Sequence, residues 1–134
     1  MRGRIESEIR GAGLLGPHAS AEYHALVPFQ PLVLTREPSN RADCNAVIAR
    51  TLLLVPCGYI AKEHAAVIAP QMDAGVLWLA LVKSVPRPMH YAEASLWMDV
   101  RSNTKFKRYA LAQGASQALV DCVLAGMFMQ EDGQ

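Results

Sequence analysis

The sequence predicts a mainly β fold with two helices, an α+β domain in which about six strands make a small curved or barrel-like sheet. Three observations predict it. Short apolar or alternating runs recur along the chain, bounded by Pro, Gly and Asn. Their order is four strands, a helix, two strands and a helix, which favours antiparallel pairing between neighbours. The 134 residues, 51% hydrophobic and 19% charged, can bury one core, so residues 1–134 read as a single domain.

In the first strand, expected over 4–12, Ile5, Ser7 and Ile9 alternate with charged residues. The Gly- and Ala-rich run "GAGLLGPHASAEYH" reads as a loop, with at most one helical turn at Ala21–Leu26. "FQPLVLTRE" is a strand that must stop before Pro38, which cannot donate to a ladder and restricts Glu37. "NAVIAR" follows as the third strand. "LLLVPCGYI" holds the fourth, ending at Tyr59 with Pro56 at an edge or bulge, although no Asn-Gly or Asp-Gly turn separates the two.

"AKEHAAVIAPQMDAG" has helical spacing. Ala61, Ala65, Ile68 and Met72 share one face, Gly75 supplies a stop, and Pro70 starts a second turn or kinks the helix. "VLWLALVKSV" and "EASLWMDVR" are strong strands joined by the loop "PRPMHY". Trp78 and Trp97 lie on them and read as core residues. A polar, basic segment leads into a C-terminal helix, "ASQALVDCVLAGMFM".

Composition narrows the function classes. A net charge of +1 gives no bulk signal for nucleic acid, so such a partner would need a local basic patch. Cys44, Cys57 and Cys122 are an odd set without regular spacing, which fits a reducing compartment better than a disulfide framework. The N-terminus interleaves charges and lacks the apolar region of a signal peptide. No apolar run approaches the ~20 residues that span a bilayer. The expectation is a cytoplasmic protein with no membrane partner.

The corner "TREPSNRADCNAV" draws the functional question, because it sets a dense polar turn between two apolar strands. The order strand, Arg36-Glu37-Pro38-Ser39-Asn40, Asp43-x-Asn45-Ala46-Val47, strand, Gly58-Tyr59-Ile60, Lys62-Glu63 and an Ala-rich helix ending Asp73-x-Gly75 resembles the HIRAN domain. The match is carried by residues 32–75. The resemblance implies a small OB-like/SH3-like β-barrel that binds DNA without catalysis, gripping single-stranded DNA at a free 3′ end. Helicase or nuclease proteins are implied as further partners, and no cofactor. Carried over position by position, Asn40 and Asp43 would meet the terminal nucleotide and Lys62 a phosphate, with Tyr59 at the strand end. Tyr91 or His90 would be a stacking aromatic from a later strand. Two features depart from the family pattern. Arg41 and Ala42 replace a Pro and an aromatic or His, and no Arg-aromatic-aromatic cluster appears near "LLGPH".

The residues themselves make the same chemistry sensible. Single strands are held by cations along the phosphates and by aromatic faces under the bases. Tyr59 precedes Lys62 at a helix N-terminus, where N–H groups and the dipole favour anions. Arg36 and Arg41 flank the corner and could add charge, while Asp43 and Asn40 could accept from a sugar hydroxyl or a base amine. The competing account is structural: Asp and Asn in such a corner commonly bond their own backbone. Arg101, Lys105, Lys107 and Arg108, interleaved with Phe106 and Tyr109, read as a solvated loop or a secondary backbone contact. No phosphate-binding Gly-rich loop or zinc spacing occurs. Two rival classes are a protein-interaction module contacting partners through "VPRPMHY", and a small hydrolase using Cys57 or an acidic pair.

Overall fold

Six strands close on one another in the order β1-β4-β3-β2-β5-β6, every neighbouring pair antiparallel. They are β1 (Ile5–Arg10), β2 (Pro31–Arg36), β3 (Val47–Arg50), β4 (Pro56–Ile60), β5 (Leu79–Ser84) and β6 (Ser95–Asp99). Among the described residues two helices with full bounds accompany them, α1 (Pro17–His24) and α2 (Lys62–Asp73), and a 3-10 turn at Ala12–Leu15 precedes α1. The computed structural model describes residues 5–76, 78–87, 93–99, 108 and 111. The expected C-terminal helix, most of the basic segment before it, and the last four residues of the "PRPMHY" loop lie outside the described residues.

Alternation along the strands fills the barrel. Ile9, Leu32, Leu34, Val47, Ala49, Val82, Leu96 and Met98 point into one core with Cys57 and Ile60. Ala65, Ile68, Ala69 and Met72 add one face of α2, at the helical spacing the sequence carries. Ser7 is the polar exception on the inner face of β1. Its hydroxyl donates to the Glu8 carbonyl and accepts from the Ala61 N–H, tying β1 to the start of α2. Trp78 is buried with its indole N–H on Gln71 Oε1, whereas Trp97 is half-buried and packs its ring 6.1 Å from that of Phe29.

Three local features differ from, or refine, the sequence reading. The first strand ends at Arg10 rather than at residue 12, because Gly11 turns the chain with φ 71°. The segment after it is helical over Pro17–His24, not a loop. Its apolar pattern is faint, with only Ala19 buried and Tyr23 against the core, and Pro17 at its first position is the sequence signal it offers. The β3–β4 turn contains no Gly or Asn. Leu54 itself takes a positive φ of 68°, in a turn closed by Thr51 N–H to Val55 O at 2.9 Å and by Arg50 Nη1 on Leu54 O at 3.2 Å.

Pro56 stands at the register shift where β3 and β4 slip, as a strand proline should. Pro70 is inside α2, which continues past it to Asp73. The helix stops in a Schellman arrangement: Val76 N–H bonds Gln71 O and Gly75 N–H bonds Met72 O, with Gly75 at φ 98°.

Candidate nucleic-acid interface

The polar corner between β2 and β3 is a self-bonded structure. Glu37 N–H donates to Ala46 O and extends the ladder by one rung, and Asn40 N–H closes a turn on Glu37 O. Asn40 Oδ1 accepts from the N–H groups of Ala42 (2.9 Å) and Asp43 (3.0 Å). Asp43 Oδ1 accepts from Asn45 N–H at 2.9 Å. These are the local side-chain-to-backbone bonds that Asn and Asp form in turns.

Arg36 braces the corner from beneath. Its Nη1 donates to Ala46 O at 2.7 Å and its Nη2 to Cys44 O at 2.9 Å. Its Nε and Nη2 also grip both carboxylate oxygens of Asp73, at 2.9 and 3.3 Å, at the end of α2. Four of the five guanidinium N–H groups are thereby committed.

Glu37 joins the corner to the barrel. Its Oε1 accepts from the Tyr59 hydroxyl at 2.7 Å and from Asn40 Nδ2 at 2.8 Å, and that amide also lies 3.4 Å from the Tyr59 hydroxyl. The fold thus brings together Asn40 and Tyr59, with Asp43 one backbone bond away. Burial, then the Glu37 hydrogen bond and charge, push the Tyr59 phenol above its ordinary range.

Lys62 is the first residue of α2, three residues past Tyr59, and is exposed with no hydrogen bond or ion pair among the described residues. Arg41 is likewise exposed and unpaired at the tip of the corner. Glu63 beside Lys62 bonds its own backbone N–H, which holds its carboxyl below the usual range, with Arg10 and His64 helping. Tyr91 lies outside the described residues.

Sequence reasoning passed over two residues here. Glu37 carried no nucleic-acid-binding role, yet it is the acceptor on which the cluster converges. Arg10 faces Tyr59 across the β1–β4 ladder. Its guanidinium lies among Glu8 (2.6 Å), Glu93 (3.1 Å) and Glu63 (3.7 Å), with Glu93 the largest influence raising its pKa. Since β1 ends at Arg10, the residues after the first strand are Gly11 and Ala12: an arginine stands there without aromatics behind it. The Gly-rich bend gave no hint that Arg10 would meet Tyr59, because strand pairing across the barrel is not written locally.

The family model of the HIRAN domain matches residues 3–104. The chain belongs to the HIRAN family. HIRAN domains are DNA-binding modules. Two solved structures share the HIRAN fold. A protein from Lactobacillus plantarum is 24% identical, with a TM-score of 0.58, covering 73% of this chain and 97% of that one. The HIRAN domain of human HLTF is 16% identical, with a TM-score of 0.54, covering 84% of this chain and 89% of that one. None of the curated proteins matches the chain significantly.

The six-strand closed barrel with two helices agrees with the HIRAN architecture. Among the described residues no helix is long and apolar enough to cross a membrane. Nor do three or more His, Cys, Asp or Glu side chains gather there to hold a metal ion. Cys57 is fully buried, and burial pushes its thiol up to about 12, so it supplies no thiolate nucleophile at neutral pH. A cavity of about 380 Å³ lies elsewhere, between the α1–β2 connection and the β3–β4 turn. It is lined in part by Glu22, Val27, Thr51 and Leu53, and none of its lining residues belongs to the corner.

Proposed function

We propose that this HIRAN domain is a non-catalytic, cytoplasmic nucleic-acid-binding module that takes single-stranded DNA, with a free 3′ end at the β2–β3 corner. The observation that carries this reading is the joining of Tyr59 and Asn40 through Glu37, with two exposed cations, Arg41 and Lys62, close to them in sequence and unpaired among the described residues. A base would stack on the Tyr59 ring, a contribution of roughly 1–3 kcal/mol for each stacked base. The phosphates on either side would meet Lys62 at the α2 N-terminus and Arg41 at the corner tip. Asp43 keeps one carboxylate oxygen beyond its bond to Asn45, an acceptor suited to a sugar hydroxyl and repellent to a phosphate. Arg36, held by Asp73 and two carbonyls, supports the site by shaping the corner rather than by touching the strand. Tyr91 would add a second stacking face from the β5–β6 connection.

The test is a titration of labelled single strands bearing a free 3′-OH, a blocked 3′ end or a blocked 5′ end, at two salt concentrations. Expected are tighter binding with the free 3′-OH and a salt slope of about −0.7 per phosphate contacted. Lys62→Ala should weaken binding to all sequences alike and flatten the slope by about 0.7. An unchanged slope in Lys62→Ala removes that residue from the interface.

A protein-interaction role is favoured by one other feature. Val27, Leu53 and Leu54 are exposed apolar side chains in the two connections that flank the cavity. Absence of binding to every oligonucleotide at low salt would favour this second reading.

A further inference from the structure

We infer that Glu37 is a positioning residue of this interface, one whose carboxylate fixes the Tyr59 ring and the Asn40 amide in a single arrangement before any ligand arrives. The inference rests on the nucleic-acid reading above and adds to it the residue that organises the site. One oxygen, Oε1, takes both the Tyr59 hydroxyl and Asn40 Nδ2. The Asn40 orientation is set independently from its other end, since Oδ1 faces two backbone N–H donors and must be the acceptor. Glu37 itself is fixed by its backbone, with its N–H on Ala46 O and its C=O receiving Asn40 N–H. Pro38 follows it and restricts its conformation further.

The Tyr59 ring is also limited on the barrel side. Gly11 lies against it closely enough that a Cβ there would sit 3.4 Å from Tyr59 Cδ2. A ring held at its hydroxyl and along one edge has little freedom left to lose when a base stacks on it. Side chains that must be ordered on binding cost affinity, so their prior ordering strengthens it. Glu37 repels a polyanion as a charge; its gain is one of geometry, and the two effects separate by substitution.

The experiment compares Glu37→Ala, Glu37→Gln, Tyr59→Phe and the Glu37→Ala/Tyr59→Phe double variant. One arm measures affinity for a labelled single strand across a salt series; the other follows the Tyr59 phenol by pH titration without ligand. Glu37→Ala should weaken binding about three- to tenfold with an unchanged salt slope, since no phosphate contact is lost. Tyr59→Phe should cost a similar or smaller factor, and the double variant no more than Glu37→Ala alone, because Glu37→Ala already breaks the bond that Tyr59→Phe removes. Glu37→Gln keeps an acceptor oxygen and should recover most of the loss. In Glu37→Ala the Tyr59 titration should fall toward its ordinary range, with the part due to burial remaining.

Equal affinity of Glu37→Ala and the parent, for a strand the parent binds, overturns the inference and leaves the nucleic-acid reading intact. So do losses that add in the double variant, or a Glu37→Gln loss as large as that of Glu37→Ala. A Tyr59 titration that does not move overturns the contact itself. A parent protein that binds no strand while its Tyr59 titration still shifts in Glu37→Ala removes the nucleic-acid reading, and the positioning role goes with it.

Discussion

Arg36→Ala is the substitution that best separates bracing from ligand contact. The Arg36 side chain is only 14% exposed, whereas that of its partner Asp73 is 57% exposed. The ion pair itself, with one half in water, is worth no more than about 1 kcal/mol. The bonds to Ala46 O and Cys44 O are the larger part, since a hydrogen bond from a charged donor contributes about 1.5–3 kcal/mol. Two features lower the cost of losing them. Ala46 O keeps its bond from Glu37 N–H, and Cys44 O is at the surface where water replaces the donor.

The expected loss is therefore about 2–3 kcal/mol for Arg36→Ala and about 0.5–1 kcal/mol for Asp73→Ala. In urea unfolding the first corresponds to a midpoint lower by about 1–2 M for ordinary slopes. Arg36→Lys should recover little, because an ammonium cannot reach two carbonyls and a carboxylate in the same fork. Oligonucleotide binding by the folded Arg36→Ala protein should weaken through a loosened corner with the salt slope kept. If Arg36→Ala unfolds at the parent midpoint and flattens the salt slope instead, the bracing account is refuted and Arg36 contacts phosphate.

Further outcomes follow from packing and titration. Gly58→Ala should destabilise the domain by about 2–4 kcal/mol, read by the same urea transition. A Cβ at Gly58, which sits at φ +155°, would lie 2.6 Å from Cγ2 of the fully buried Ile9 and 3.1 Å from the Arg10 carbonyl. A Gly58→Ala midpoint equal to the parent's would contradict that packing. Tyr59 and Tyr23 both have phenols raised above 10.0, chiefly by burial, so the native state favours their neutral forms. Their contribution is complete below about pH 10 and is lost as pH climbs through the folded values, so the urea midpoint should fall there, and less steeply in Tyr59→Phe. A midpoint unaffected by alkali in the parent would remove the argument.

The barrel was legible because its strands carry their own period. "PLVLTR" and "VIAR" are too apolar and β-branched to sit elsewhere, and the 61–75 helix shows both its buried face and its Gly75 stop. Helix α1 was not legible as a helix, since a single buried Ala19 gives no periodicity to detect. At the corner the motif residues could be recognised, but their bonds could not be apportioned from the sequence. Arg36 reads as a basic residue flanking a site, and only three-dimensional placement brings Asp73 under it. Glu37 and Tyr59 stand 22 positions apart, and their hydrogen bond depends on how β2, β3 and β4 align side by side. Arg10 was hidden for the same reason.

Strand β1 pairs with β4 on one side and β6 on the other, so the ring has no free border. Among the described residues no strand of the barrel lies at an open sheet edge, so strand addition has no ready template there. Whatever docks on the ring must read side chains and the bends between strands, so a drift to a new ligand would begin in its connecting segments.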